Sequence, residues 1–136
     1  MNNQAKNSSH NSIQERTFFF ACRLVKLYQF LVKQKGATEI LGRQLLRSGT
    51  SIGTNLQEAI AGQSKADFIS RCNIALKEAR ETLYWLRLLS ETNLIPARRI
   101  ADLSRESNEL VAILTTIVKK SRLPKRSKDL LNNSSF

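Results

Sequence analysis

Four stretches of the chain carry apolar residues at the three- and four-residue spacing of amphipathic helices. The segments between them are short and polar and hold most of the glycine and proline, and no useful length alternates apolar and polar residues as a strand would. Short connections place successive helices antiparallel. The pattern therefore predicts an all-α fold, an antiparallel up-down-up-down four-helix bundle.

Residues at helix ends mark the predicted boundaries. Ser12 with Glu15 forms a capping-box pattern that predicts the start of the first helix. The other boundary residues are, in chain order, Gly36 after the first helix, Thr38 as N-cap of the second, Gly62 after it, Ser64 with Asp67 capping the third, Asn93 after it, Pro96 in the first turn of the fourth and Pro124 beyond its end. We expect a disordered leader over residues 1–11, the bundle over 12–121 and a basic flexible tail over 122–136.

The helices differ in how their apolar positions are arranged. In the first helix we assign the buried stripe to Phe18, Ala21, Val25, Tyr28 and Val32, widened by Leu24, Leu27 and Leu31. The third has a seam at Phe68, Cys72, Ala75, Ala79, Thr82, Leu86 and Leu89, and the fourth at Ile100, Leu103, Ser107, Leu110, Leu114 and Ile117. The third seam is the broadest, so the third helix is expected to be central.

Small residues interrupt the second helix between Arg47 and Ala59. Gly49 and Gly53 each cost a helix about 1 kcal/mol relative to alanine. They lie within a heptad seam formed by Leu45, Gly49, Ile52, Leu56 and Ala59. We therefore expect a continuous helix in which the glycines allow a second helix to approach closely.

A polar stripe runs beside that seam and predicts close contact with another helix or subunit. Glu58 is expected to pair with Lys77 or Arg80, on the third helix or on a neighbouring subunit. Tyr84 and Trp85 are wide amphipathic side chains, typical of cores and subunit interfaces. The predicted interface comprises Ser48, Ser51, Asn55, Glu58, Tyr84 and Trp85.

The chain is strongly basic, with 22 Lys and Arg against 11 Asp and Glu and a net charge of +11. Such a field attracts polyanions, nucleic acid first, although a merely solvated basic surface is the alternative. Six of these basic residues fall in the segment from Lys119 to Lys128, which could bind phosphates or only keep the chain in solution. Aromatic residues are too sparse on the predicted exposed faces to indicate single-strand stacking. The predicted nucleic-acid contacts are Arg23, Lys26, Arg43, Arg47, Arg80 and Arg87.

The sequence offers no catalytic or metal-binding constellation. His10 is the single histidine, and Cys22 and Cys72 both lie among apolar positions, which suits small core residues. A di-metal bundle would need Glu-x-x-His pairs, and this chain has none. We expect no enzyme activity, no metal and no cofactor. Without an apolar run of spanning length or a signal peptide, the expected location is cytoplasmic, with no membrane partner.

Two segments resemble the four-helix-bundle proteins of the 23S ribosomal RNA intervening-sequence family. The first is Gln44 to Arg47 followed by Ser51, Ile52, Asn55, Glu58 and Ala59, and the second is Phe68 followed by most of residues 74–89. With the flanking helices, the resemblance covers about residues 14–121. It implies a homo-oligomer, expected to be a pentameric ring, without enzymatic activity. The family is also similar to the accessory variability determinant of diversity-generating retroelements, which binds nucleic acid and a reverse transcriptase.

Two functional hypotheses follow, and a third is kept in reserve. The leading one is a non-catalytic oligomeric module that binds RNA or DNA through phosphate contacts. The alternative is a pure protein scaffold in which the charge only aids solubility. A role as accessory protein of a reverse transcriptase is a further alternative. It ranks lower because the motifs match the intervening-sequence branch of the family better than the retroelement branch.

Overall fold

The computed structural model describes residues 12–124, which form four α-helices and contain no strand. The helices are α1 (Ile13–Leu31), α2 (Gly36–Ala61), α3 (Lys65–Glu91) and α4 (Ala97–Arg122), and a 3₁₀ turn (Val32–Gln34) extends α1. The predicted all-α bundle is confirmed. The expected leader, with His10, and the tail beyond residue 124 lie outside the described residues.

The helices pack side by side, and α1 and α2 run in opposite directions. Near the end of α1, Leu31 meets Gly42 early in α2, whereas near its start Thr17 meets Gly53 late in α2. The contact between α2 and α3 is the most extensive, followed by that between α3 and α4. An ion pair of 2.7 Å between Arg16 and Glu106 joins the first helix, α1, to the last, α4. α3 packs extensively on both α2 and α4, as expected for a helix that is buried on more than one side.

Two helix starts carry the predicted side-chain caps. The Oγ atoms of Ser12 and Ser64 accept hydrogen bonds from the backbone amides of Glu15 and Asp67, each at 3.1 Å. Gly62 caps the end of α2, also as predicted. These bonds satisfy amides that a helix start leaves without partners, so the sequence fixes both entry points locally.

Three predicted boundaries are displaced. α2 begins at Gly36, and Thr38 is a buried residue inside it, not its N-cap. The reason is the turn: Lys35 and Gly36 have φ values of 58° and 64°, so the chain reverses before Thr38 is reached. Pro96 is the N-cap residue of α4, one position before its first turn. α4 also continues to Arg122, one residue past the predicted end of the bundle.

The core lies along the seams predicted for α2, α3 and α4. Every member of the α2 seam is buried, and so is every member of the other two seams except Phe68 in α3 and Ile117 in α4, which are partly buried. In α1 the prediction is wrong in part: Phe18 is 60% exposed and Val25 is 45% exposed, while Phe20, which lies outside the predicted stripe, is buried. Leu24 and Leu31, which widen that stripe, are buried as predicted. Since α1 is apolar on more than one side, its own pattern does not decide which side faces inward.

Glycines on α2 determine how closely α1 approaches. A Cβ atom on Gly49 would lie 1.9 Å from Leu24 Cδ1, and one on Gly42 would lie 3.0 Å from Leu31 Cβ. Gly53 faces Thr17 in the same way, and a Cβ atom on Gly53 would lie 3.3 Å from Thr17 Oγ1. The continuous helix through Gly49 and Gly53 is confirmed, and the predicted close contact is made by α1.

None of the helices between residues 12 and 124 is long and apolar enough to cross a membrane.

Candidate nucleic-acid interface

Two of the six predicted nucleic-acid contacts are engaged in ion pairs within the chain. Arg47 of α2 reaches across to α3, where its Nη1 lies 3.4 Å from Glu78 Oε2 and its Nη2 bonds to Glu81. Arg43 pairs with Glu39 one turn earlier on its own helix, at 2.7 Å. Carboxylates of the same chain therefore balance much of the positive charge of these two arginines. Arg43 and Arg47 are for this reason weaker candidates for phosphate contacts than the sequence indicated.

The two carboxyls beside Arg47 titrate in opposite directions. Burial alone would raise the pKa of Glu81, but the hydrogen bond and the charge of Arg47 outweigh it and hold that pKa below the ordinary 4.5. For Glu78 burial prevails, and its pKa is raised despite the same arginine. The cluster therefore joins α2 to α3 chiefly through the Arg47–Glu81 pair.

Two further predicted contacts, Arg23 and Lys26, line a groove of about 470 Å³ between α1 and α4. Arg16 and Glu106 also line it, so part of its charge is already balanced. Cys22 is half-buried on the same wall and carries a free thiol. This groove brings Arg23 and Lys26 together but separates them from the predicted contacts on α3.

The last two predicted contacts, Arg80 and Arg87, are exposed on α3. Tyr84 lies between them on the same helix face and is 59% exposed. Lys77, which is not one of the six predicted contacts, is exposed one turn before Arg80. Within residues 12–124 no carboxylate forms an ion pair with any of these three cations. We call this surface, formed by Lys77, Arg80, Tyr84 and Arg87, the α3 ridge.

The ridge could have been found from spacing alone. Positions 77, 80, 84 and 87 are three and four residues apart and so fall on one helix face. The prediction that places Tyr84 and Trp85 in one interface is at odds with helix geometry, because adjacent helix residues point about 100° apart. The structure separates them: Tyr84 is exposed, while Trp85 is half-buried and packs against the core.

Ser48 requires a correction, because its side chain is fully buried within the bundle. Its Oγ accepts a 2.8 Å hydrogen bond from Thr82 Oγ1 of α3. It therefore makes the predicted polar contact with another helix of its own chain and has no surface left for another subunit. The small size of the serine and the threonine lets α2 and α3 approach at this level.

The rest of the polar stripe stays nearer the surface. Ser51 Oγ donates to the backbone oxygen of Arg47 at 2.7 Å, and Asn55 Nδ2 donates to that of Ser51 at 2.8 Å. Asn55 Oδ1 also accepts from Arg71 of α3 at 3.5 Å. Glu58 is exposed and forms no ion pair with Lys77 or Arg80 of its own chain within the described residues. The placement of these residues in an interface between subunits stays a prediction.

The part of the chain that the structure describes gives no evidence of a metal site or of a reactive cysteine. Between residues 12 and 124 no three His, Cys, Asp or Glu side chains cluster as metal ligands. Cys72 is buried and free, and burial raises the pKa of its thiol, which favours the neutral, unreactive form. Cys72 is a small core residue, as the sequence indicated.

Taken together, the fold and this surface define an all-α four-helix bundle with an exposed basic ridge on its central helix. The chain belongs to the 23S rRNA-intervening sequence protein family, whose model matches residues 9–116. It is also similar to a protein of unknown function from the S23 ribosomal protein family of Bacteroides thetaiotaomicron VPI-5482. That crystal structure shares 44% sequence identity and a TM-score of 0.74, over 79% of this chain and 99% of the other. A search of the curated proteins finds no match.

Proposed function

We propose that this protein is a non-catalytic, cytoplasmic, homo-oligomeric bundle that binds RNA or DNA through its exposed basic residues. The observation that carries the proposal is the α3 ridge, where Arg80 and Arg87 have no carboxylate partner among residues 12–124. A phosphate backbone supplies the missing negative charge. The expected assembly is a pentamer, which is what the resemblance to the family implies.

The positions of the acidic residues support the proposal that the α3 ridge can bind a polyanion. Within the described residues, each ion pair places carboxylates against an arginine that is not on the ridge: Arg16 with Glu106 and Glu109, Arg43 with Glu39, Arg47 with Glu78 and Glu81, and Arg105 with Asp102. The carboxylates therefore neutralise other positions and leave the ridge positive. In a ring of copies the ridge would recur on each protomer and strengthen the field.

The outer face of α1 supports association between copies. Phe18 is 60% exposed and Val25 is 45% exposed, and they lie two turns apart on one face of α1. Phe19, which is 38% exposed, points toward the groove beside α4, and its ring meets that of Phe18 edge to face with centroids 5.8 Å apart. Large apolar side chains grouped on one exposed face are typical of surfaces that bind another protein. We assign the contact between copies to this face, where Phe18 lines a groove with Thr50, Thr54 and Gln57 of α2. The predicted interface residues Asn55 and Glu58 lie instead on the side of α2 toward α3.

The nucleic-acid half of the proposal is tested by the affinity of the purified protein for an RNA oligonucleotide at two salt concentrations. Phosphate contacts release counterions, so binding should weaken by at least tenfold between about 50 and 200 mM salt. An affinity that does not change with salt would contradict phosphate recognition. Recovery of one protein partner from cells, with no bound nucleic acid, would favour the scaffold alternative.

The oligomer half is tested by the mass in light scattering. Five copies of a 15.4 kDa chain give about 77 kDa. Phe18→Glu with Val25→Glu should shift the mass toward the monomer, because two charges would be buried in the contact. As a matched control, Ile40→Glu changes another exposed apolar residue, on α2, and should leave the mass unchanged. A wild-type monomer would overturn this half of the proposal.

A further inference from the structure

The α3 ridge places an aromatic ring among unpaired cations. Arg80 lies one turn before Tyr84 and Arg87 one turn after it, at helical rises of about 6 and 4.5 Å along the axis. Lys77 extends the same line by one more turn. Tyr84 is 59% exposed although its ring is one of the largest side chains on the bundle. The ridge thus combines a flat ring with flanking positive charge.

The ring of Tyr84 is supported from inside the bundle. Its centroid lies 5.2 Å from that of Trp85, and the two planes meet at 75°. Trp85 is itself held against the core, with its Nε1 atom fully buried. An edge-to-face contact of this kind is favourable for aromatic pairs and restrains the exposed ring. Tyr84 is therefore a partly preorganised surface and loses little freedom when a ligand covers it.

We propose that the α3 ridge selects single-stranded nucleic acid, with one base stacked on Tyr84 and the neighbouring phosphates held by Arg80 and Arg87. This inference rests on the proposed function and deepens it by naming the form of the nucleic acid. In a duplex, neighbouring base pairs cover the faces of each base, whereas a single strand can offer a face to an aromatic side chain. Cationic side chains along the backbone together with an exposed ring are the two parts of a single-strand site.

The test measures the affinity of the full chain and its variants for a labelled single strand of about 15 nucleotides and for the matching duplex. Tyr84→Leu keeps an apolar side chain but removes the ring, and Tyr84→Phe keeps the ring without the hydroxyl. We expect Tyr84→Leu to weaken single-strand binding by roughly 5- to 150-fold, the range found for lost base stacking. Duplex binding should not change, and Tyr84→Phe should bind as the wild type does.

A second readout does not depend on any variant. Trp85 is the only tryptophan of the chain and contacts Tyr84 directly. Its fluorescence in the wild-type protein should change when the single strand binds and should stay constant with the duplex. Constant fluorescence with both, or duplex binding as tight as single-strand binding, would overturn the inference.

Arg80→Gln with Arg87→Gln separates this inference from the proposed function. If that variant loses affinity for both forms while Tyr84→Leu loses none, phosphate binding stands and stacking on Tyr84 is wrong. If the wild-type protein binds neither form in a salt-dependent way, the proposed function and the inference are both wrong. Loss of single-strand affinity in Tyr84→Leu together with retained affinity in Tyr84→Phe supports both.

Discussion

Gly49 is the residue at which the packing of α1 on α2 is tightest. A methyl group there would overlap Leu24 Cδ1, and Leu24 is itself buried and has little room to move. Gly49→Ala would gain about 1 kcal/mol of helix propensity. Overpacking of a core costs about 1 to 3 kcal/mol, so we expect a net loss in the free energy of unfolding of up to about 2 kcal/mol. Urea denaturation measures this difference.

Two companion variants identify the cause. Leu24→Val removes the overlapping atom, so the double variant Gly49→Ala/Leu24→Val should be more stable than expected from the sum of the two single changes. Gly53→Ala should be close to neutral, because the gain in helix propensity offsets a contact of 3.3 Å with Thr17 Oγ1, which is tight but much longer than the 1.9 Å contact at Gly49. Strict additivity in the double variant would show that contact with Leu24 is not what Gly49 avoids.

The buried hydroxyl pair of Ser48 and Thr82 is a second feature at the residue scale. Ser48→Ala and Thr82→Val each remove one member of a 2.8 Å hydrogen bond, and each should cost about 1 kcal/mol of unfolding free energy. The double variant leaves neither hydroxyl without its partner, so it should cost less than the two single changes together. A double cost equal to the sum would mean that the two hydroxyls do not interact.

At the scale of whole elements, the sequence predicts the helices and most of their buried faces. The seams of α2, α3 and α4 are narrow enough that three-four spacing identifies the inner side, and Ser12 and Ser64 mark two of the starts. α1 differs because Phe18, Phe19 and Phe20 cover more than half a turn. Only Phe20 is buried, since the glycines of α2 admit Leu24 and Leu31 beside it. The inner face of α1 is thus decided by another helix.

The contact between α2 and α3 through Arg47 makes a prediction about pH. Glu81 has a folded-state pKa below 4.5, so it stabilises the fold above that pH and the contribution is lost as the pH falls through the lowered value. Glu78 has a raised pKa, and its protonation offsets part of this loss. In Arg47→Gln the pKa of Glu81 should rise, which carboxyl NMR titration can follow. An unchanged pKa would show that Arg47 does not hold Glu81.

At the scale of the whole molecule, net charge predicts a polyanion partner but not where it binds. Of the six cations chosen from the sequence, Arg43 and Arg47 are paired with carboxylates on α2 and α3. The partners of Arg47 are more than thirty residues away in the chain, beyond the reach of local spacing. Arg80 and Arg87 need only the helix period to be placed together. Arg43 pairs with Glu39 one turn away, which local spacing could have shown, so long-range pairing is what hid the occupied state of Arg47 alone.

The central claim is that unpaired arginines on α3 bind phosphates. The most direct measurement compares how affinity for a single-stranded oligonucleotide depends on salt in the wild type, in Arg80→Gln/Arg87→Gln, and in the control Arg43→Gln/Arg105→Gln, whose two arginines are also exposed but paired with carboxylates. Each lost phosphate contact reduces the slope of log affinity against log salt by about 0.7 for a single strand. We expect the α3 variant to lose roughly two such contacts and the control to keep the wild-type slope. Equal slopes in all three proteins would contradict the account.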